Sequence, residues 1–520
     1  QASRAKQRRS SLGGNVLVAD MPRGTAIGTR IAAVVLLLWL GAAWRPTSFT
    51  GWSHPQAAGM HPLTSRLGVK STDPEHGAET GAVVLGLDFG TSGARLVALS
   101  CSMENASGVL FESSKPWSGE SGKSSPAEWE AVLVSLLEEV PEAIRDKTCC
   151  IALDATSATV MLADEVGQPI TETRMYDWDV AGHDPDLRRR ILSLLDEACV
   201  PKTHTVRAPT STLSKVLAWM LSGKSPSSAC HIVHQADYIN ARLLGQPRSA
   251  SDWHNALKLG FDVDTLSWPS WLCEGPITAM LPPTSLPLVV KPGTKLGTIG
   301  KESCAAGLLP AACFVAAGTT DSIAAFLAAG ASEPGDAVTS LGSTLAIKML
   351  SKVKVEDASR GIYSHRLWAR SGDEALWLVG GASNVGCAVL RSEGFTAQDL
   401  ATLSEGIDPT EESQYAYYPL TKPGERFPIC DPFLAPRLDP KPESRKEYLH
   451  GILQGIANVE KLGYEALREL GADPLRLVLS AGGGSVNAMW TSMRQRMLGV
   501  TVQRAPCVDA AAGAAQLARL

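Results

Sequence analysis

From residue 81 onward, short apolar runs closed by small-residue turns alternate with stretches whose apolar positions recur at helical spacing. Ala82–Leu87 and Arg95–Leu99 are two apolar runs around an acid and a Gly/Thr/Ser turn, which predicts a β-hairpin. Ser125-Pro126-Ala127-Glu128 has the spacing of a capping box with proline at the first helical position, and Trp129, Val132, Leu133, Leu136 and Leu137 follow on one helical face. Cys150–Asp154 reads as a buried strand. Thr159–Leu162 reads as a second one, closed by the turn residues Val166-Gly167-Gln168-Pro169. After a Pro-rich, loop-like segment from Trp268 to Pro292 come a strand (Phe314–Ala317), the turn Gly318-Thr319-Thr320-Asp321 and a helix (Ser322–Ala329). Gly330–Gly335 is turn-rich and marks a boundary. Beyond it Ala337–Leu341 and Leu345–Leu350 form a second predicted hairpin around Gly342-Ser343-Thr344. Glu443–Leu470 predicts a long helix, Leu475–Ser480 a strand, and Ala481–Ser485 a turn opening another helix. Strands alternating with helices predict an α/β body. The recurrence of strand, Gly/Ser/Thr turn and strand predicts two similar lobes facing each other.

Composition narrows the picture. The chain has 520 residues, 44% apolar and 19% charged, which suits two or three globular domains. A net charge of −5 argues against a general nucleic-acid binder. Eleven cysteines include no C-x-x-C pair, and Cys149 and Cys150 are adjacent; this suits buried thiols in a reducing compartment rather than a disulfide framework or zinc site. The ten histidines show no metal-ligand spacing. Arg188-Arg189-Arg190, after Asp184-Pro185-Asp186, reads as a solvated helix face.

Residues 1–80 differ in kind. Met21 is a plausible start; Arg23 and Arg30 precede the apolar run Ile31–Trp44, which has the length of a signal-peptide core, with Gly41-Ala42-Ala43 offering small residues for cleavage. No Asp or Glu occurs between Met21 and Thr72, while Ser, Thr and Arg recur. A signal core followed by an acid-free segment resembles the bipartite leaders of algal plastid proteins. The expectation is therefore a plastid enzyme with no stable membrane insertion of the mature protein; a cytoplasmic location is the alternative.

The turns carry the chemistry. Gly90, Thr91 and Ser92 form a small-residue turn that lets backbone N–H groups and hydroxyls approach an anion, and Asp88 at the strand end can hold a hydrated Mg²⁺ beside phosphates. No G-x-x-x-x-G-K-[ST] loop is present. Gly342, Ser343 and Thr344 repeat the first turn. Gly482, Gly483 and Gly484 permit close approach to a flat adenine or ribose, and Asn487 follows in the next helix, within reach of a nucleoside. Asp321 follows a Gly-Thr-Thr turn at a helix start, a position that also suits an N-cap. Asp154, Thr156, Ser157 and the acids Asp177 and Asp179 are the polyol-binding candidates, and Asp237, Asp252 and Asn255 read as structural.

Taken in order, Gly86–Gly93, Ala317–Asp321, Ser340–Thr344 and Ser480–Asn487 resemble the motifs of the FGGY carbohydrate kinases, over the body from about Gly81 to the end. Ala317–Ser322, Gly361–Arg366 and Gly380–Asn384 resemble the cyanobacterial and plant-plastid, ribulose kinase-like branch of that family. The resemblance implies two actin-like (ribonuclease H-like) lobes: a sugar-binding lobe over 81–330 and a nucleotide-binding lobe over 331–520. It implies ATP and Mg²⁺ as cofactors, Asp321 as catalytic base and Asp88 as the catalytic metal-organising acid. Gly90, Thr91, Ser92, Gly342, Ser343, Thr344, Gly482, Gly483, Gly484 and Asn487 would hold the nucleotide, and Asp88, Ser92, Asp154, Ser157 and Asp321 the sugar. The implied reaction is phosphorylation of D-ribulose to D-ribulose 5-phosphate, with D-xylulose as the alternative acceptor and a catalytically weak sugar or nucleotide sensor as a further one. One segment departs from the family: where many members carry an aromatic, Asn-Asp and a later Arg, this chain reads Met175-Tyr176-Asp177-Trp178-Asp179-Val180.

Overall fold

The hairpin predicted at the start of the body seeds the first sheet. The computed structural model describes residues 81–101, 108–119, 124–223, 230–368 and 374–519. The leader read in residues 1–80 therefore lies outside the described residues. All described residues belong to one compact unit, Glu75–Leu520, and no described helix is long and apolar enough to cross a membrane.

Strand β1 (Val83–Phe89) pairs antiparallel with β2 (Gly93–Ser100), and β2 with β3 (Val109–Pro116). The other edge of β1 takes β4 (Thr148–Ala155) in parallel, in a register that sets Asp88 opposite Asp154. With β5 (Lys295–Thr298) and β6 (Phe314–Ala316) the order is β3-β2-β1-β4-β6-β5, and Thr319–Thr320 adds to the end of β4. Alternation sorts the two faces of β1. Val83, Leu85, Leu87 and Phe89 pack with Trp129, Leu133, Leu136 and Leu137 of α1 (Pro126–Glu139). Ser125 caps α1 as predicted, its Oγ accepting from Glu128 N at 3.2 Å; the Glu128 carboxylate turns instead to Ser118, accepting from its N and Oγ at 2.6 and 2.7 Å.

Beyond β4, α2 (Pro185–Glu197) and α3 (Thr212–Leu221) build a helical flank, while α4 (Gln235–Leu244) packs into the first sheet's core through Ala236, Tyr238, Ile239 and Leu243. Val160, Leu162, Ile191, Leu195, Leu213 and Leu217 form the flank's separate apolar core. Helix α5 (Asp321–Ala329) then leads to the second sheet.

That sheet repeats the first. β7 (Asp336–Leu341) and β8 (Leu345–Ser351) are the second hairpin; β9 (Tyr363–Trp368), β10 (Ala375–Ala382), β11 (Leu477–Ala481) and β12 (Thr501–Arg504) complete the order β9-β10-β8-β7-β11-β12. β7 pairs antiparallel with β8 and parallel with β11, as β1 does with β2 and β4. The predicted duplication is thus present in topology. α6 (Arg445–Glu469) spans the outside of this sheet, and α7 (Ala488–Leu498) follows the glycine turn.

The last helix, α8 (Ala510–Leu517), returns to the first sheet. It lies so close to β1 that a Cβ on Gly86 would sit 1.9 Å from Ala511 O, and one on Gly513 would sit 1.8 Å from Ala324 O of α5. Small residues on all three elements make this contact possible, and it brings the Asp509 cap of α8 to the end of β1.

Candidate active site

Parallel pairing of β1 with β4, and of β4 with Thr319–Thr320, gathers carboxylates at the strand ends. Asp88 and Asp154 stand side by side, Thr319 is opposite Asp154, and Asp321 begins α5 two residues later. Asp88 Oδ1 and both Asp154 oxygens are buried without a hydrogen bond among the described residues. Burial, with the charges of Asp321 and Asp509 adding to it, pushes the Asp88 carboxyl up to about 6. Burial and the Asp88 charge hold Asp154 well above the ordinary carboxylate range. Asp154, read from sequence as a sugar-facing acid, is fully buried beside Asp88. The orphaned oxygens and clustered negative charge fit a divalent cation. No described set of three or more ligand side chains could cage one, so a cation here would rest on Asp88 through water, completed by phosphate oxygens.

Asp321 is half-buried, and its Oδ1 accepts from Ser322 N at 2.6 Å. The approach to it is fixed from behind. His254 Nδ1 lies 2.7 Å from Thr319 Oγ1, and its Nε2 lies 2.7 Å from Arg366 O. Burial pushes this imidazole down to about 4, so it is neutral and donates from one nitrogen only. Two lysines flank Asp321. Lys348 of β8 donates to Ser322 O at 2.7 Å, and burial pushes its ammonium down to about 8 against the attraction of Asp321. Lys258 is lowered by burial and drawn back by the same carboxylate.

The two hairpin turns present their side chains to solvent: Thr91 and Ser92 in the first, Ser343 and Thr344 in the second. The first is closed by Gly90 N donating to Gly93 O at 3.0 Å and pinned by Trp117 Nε1 on Gly90 O at 3.1 Å. In the second, Arg391 Nη2 donates to Ser343 Oγ at 2.9 Å. Beside it opens a cavity of about 860 Å³, lined by Gly342, Ser343, Leu400, Gly483, Gly484 and Asn487 among others. Gly482 has φ +79, and a Cβ there would lie 2.8 Å from Leu341 C and O. Asn487 lines the cavity with its amide already engaged: Oδ1 caps α7 through Trp490 N at 3.0 Å, and Nδ2 donates to Ser404 Oγ at 2.8 Å.

On the acceptor side, Ser157 is half-buried, while Thr156 Oγ1 is held inside by Thr159 Oγ1 at 2.6 Å and Gln235 Oε1 at 2.8 Å. The two acids of the divergent segment stand differently. Asp179 is an N-cap, its Oδ1 accepting from Ala181 N at 2.7 Å and Gly182 N at 3.2 Å; Asp177 is exposed, with no hydrogen bond or ion pair on its carboxylate among the described residues. Asp237 is tied to His234 at 2.9 Å and Asp252 to Asn255 at 2.6 Å, as structural residues. Of the arginines at 188–190, Arg188 turns inward to Arg207 O and Arg189 pairs with Asp186 on the surface.

Sequence reasoning overlooked Lys215, His254, Lys258 and Lys348. The signal was present for two of them: Lys215 interrupts the apolar helix α3, and Lys348 the apolar strand β8.

Residues 338–519 match the C-terminal domain of the FGGY family of carbohydrate kinases. Over 463 residues the chain is 24% identical to the xylulose kinase of Streptomyces coelicolor, spanning 82% of this chain and 85% of that one. It is 25% identical over 476 residues to the xylulose kinase of Streptomyces rubiginosus, spanning 85% and 89%. The fold superposes on the crystal structure of xylulose kinase from Rhodospirillum rubrum with a TM-score of 0.68 at 20% identity, covering 84% of this chain and 89% of that one. Residues 338–519 thus match an FGGY C-terminal domain, the chain is similar to sugar kinases over most of its length, and its two repeated sheets correspond to the two actin-like lobes of their fold.

Proposed function

We propose that the protein transfers the γ-phosphoryl group of ATP to a hydroxyl of a D-ketopentose, D-ribulose first. The observation that carries this reading is the placement of Asp321. It stands half-buried at the head of α5, one oxygen anchored by the Ser322 N–H, beside the orphaned oxygens of Asp88 and Asp154. Its second oxygen would accept the proton of the attacking hydroxyl. Asp88 would hold Mg²⁺ through water, and the ion would supply the positive charge that offsets the phosphates. The N–H groups and hydroxyls of Gly90–Ser92 and Gly342–Thr344 would hold the phosphates. The cavity beside Gly483 and Gly484 has room for the adenosine. Asn487 would support that wall as a helix cap, since its amide is committed. Asp177 and Ser157 would bind the sugar, with Asp154 acting through the neighbouring Asp88.

D-ribulose rests on the likeness of Ala317–Ser322, Gly361–Arg366 and Gly380–Asn384 to the plastid branch; the altered segment at Met175–Val180 is what supports the sensor reading. D-xylulose is the second reading, favoured by the names of the two Streptomyces relatives. The plastid destination belongs to the same proposal; a fluorescent fusion of residues 1–80 outside the plastid would remove it.

The test is ADP release by residues 73–520 with Mg-ATP across ketoses, aldoses and polyols. Stimulation by ribulose, reduced about 10³-fold or more in kcat by Asp321→Ala, is expected, in line with removal of a base and of an ionic group at the reacting centre. Stimulation by xylulose alone would move the acceptor. ATP binding with no sugar response would favour the sensor.

A further inference from the structure

The two segments that carry Ser157 and Asp177 run antiparallel, Ile170 N donating to Leu162 O at 2.8 Å, and end their pairing at Val160 N to Arg174 O at 3.0 Å and Arg174 N to Val160 O at 2.9 Å. Beyond that bridge they separate, and three carbonyls are left pointing inward. Lys215 of α3 fills the gap. Its Nζ donates to Ala158 O at 2.8 Å, Met175 O at 2.6 Å and Tyr176 O at 3.0 Å. The side chain is 0% exposed, and no ion pair engages it among the described residues. All three ammonium hydrogens are used, which is the full donor capacity of lysine.

The backbone is bent to meet this ammonium. Ala158 has φ +66, a left-handed conformation that a Cβ-bearing residue adopts only where its surroundings hold it. The other segment is templated by the same helix. The Arg174 guanidinium lies 3.9 Å from the Trp178 ring and 4.1 Å from the Trp219 ring, and its Nη1 donates to Lys215 O. Arg174 is therefore occupied in shaping the turn and is not a free donor for a sugar. What the turn presents outward is Tyr176 and Asp177.

We propose that Lys215 is the positioning residue of the acceptor-sugar pocket: by clamping Ala158, Met175 and Tyr176 it fixes the distance between Ser157 and the Asp177 carboxylate. The inference rests on the sugar-kinase reading above. Asp177 and Lys258 both act electrostatically on Lys215, and Lys258 acts on Asp321, which places the clamp on the acceptor side of the cleft. Burial pushes the Lys215 ammonium down to about 7, with Lys258 and Arg174 pushing the same way and Asp177 opposing. A neutral amine has two N–H donors for three carbonyls, so the clamp loosens as pH rises through that value.

The experiment compares wild-type protein with Lys215→Met by initial rates at varied sugar and varied Mg-ATP. Losing a buried charged donor set raises KM for the sugar by about tenfold or more while KM for Mg-ATP moves less than about twofold. Asp88 near 6 and Lys348 near 8 titrate in both proteins, so the ratio of mutant to wild-type sugar KM is the readout, and it falls between pH 6 and pH 8.5 as the wild-type clamp loosens. Equal sugar KM in the two proteins, or a parallel rise of both KM values, overturns the proposal. If Lys215→Met does not fold, Lys215→Arg, which stays charged over this range, replaces it, and a sugar KM equal to that of the wild type at every pH overturns the proposal. A wild type with no sugar-dependent ADP release fails the kinase reading instead, which separates the two outcomes.

Discussion

At the scale of single residues, the site is set by side chains that point at backbone rather than at one another. Gly482 shows how narrow the tolerance is. Its φ of +79 is open to glycine at no steric cost, and a Cβ would press on the Leu341 carbonyl at the base of the second phosphate turn. Gly482→Ala forces either β7 or the 483–486 turn to move. The expected result is an ATP KM raised by about fivefold or more with the sugar KM unchanged, corresponding to the roughly 1 kcal/mol cost of a strained alanine passed to the nucleotide wall. An unchanged ATP KM would place the adenosine elsewhere than beside this turn. The glycine run was legible in sequence because glycine leaves a compositional mark. Lys215 and His254 left none, since their roles depend on carbonyls brought from segments far apart in the chain: Lys215 meets Ala158 and Met175, and His254 meets Arg366.

At the scale of elements, the glycine turn is held by a buried network between helices. Arg494 of α7 donates from Nε and Nη2 to Glu460 of α6 at 2.6 Å each and from Nη1 to Ser480 Oγ of β11 at 2.8 Å. Thr339 of β7 joins the same carboxylate at 2.6 Å. Both charged side chains are essentially inaccessible, at 0% and 1% exposure, so neither can be compensated by water if its partner is removed. Arg494→Met leaves Glu460 buried and unpaired, with an expected loss of about 3–5 kcal/mol in unfolding free energy. Urea unfolding measures it, and a loss under about 1 kcal/mol would mean that Glu460 takes up a proton at little cost. The same scale explains what periodicity revealed. The two hairpins, α1, α5 and α6 were legible because each buries one regular face against a sheet. Helix α8 was not: it is a run of alanines and one glycine, whose meaning comes from Gly86 and Ala324 approaching within contact of its backbone.

At the scale of the whole molecule, the two lobes are tied through a shared buried base. Trp253, Phe261 and Val263, from the first lobe, share a buried cluster with Ile347, Met349, Trp377 and Val379 of the second sheet. Within that base His254 connects Thr319, two residues before the proposed catalytic base, to Arg366 O of β9. The bridge needs a neutral imidazole with Nε2–H donating to the Arg366 carbonyl and Nδ1 accepting from the Thr319 hydroxyl; the Trp253 indole N–H, 3.1 Å from the same Nε2, can be accepted only in the other tautomer, so it competes with the bridge. Because burial lowers this histidine to about 4, it takes up a proton only as pH falls toward that value, and the bridge is intact throughout the neutral range. His254→Phe keeps an aromatic ring against Trp368 but removes the contacts with Thr319, Arg366 O and the Trp253 indole N–H. These buried groups then lose their partners, at roughly 1–3 kcal/mol each, part of which is relieved by rearrangement. The mutant kcat should fall about tenfold, because the strand end that aims Asp321 is no longer held to the opposite lobe. The fall should be the same at pH 6 and at pH 8. A ratio that changes across that interval would show the imidazole titrating there, and the base of the cleft would then be joined by a charged group rather than a neutral one.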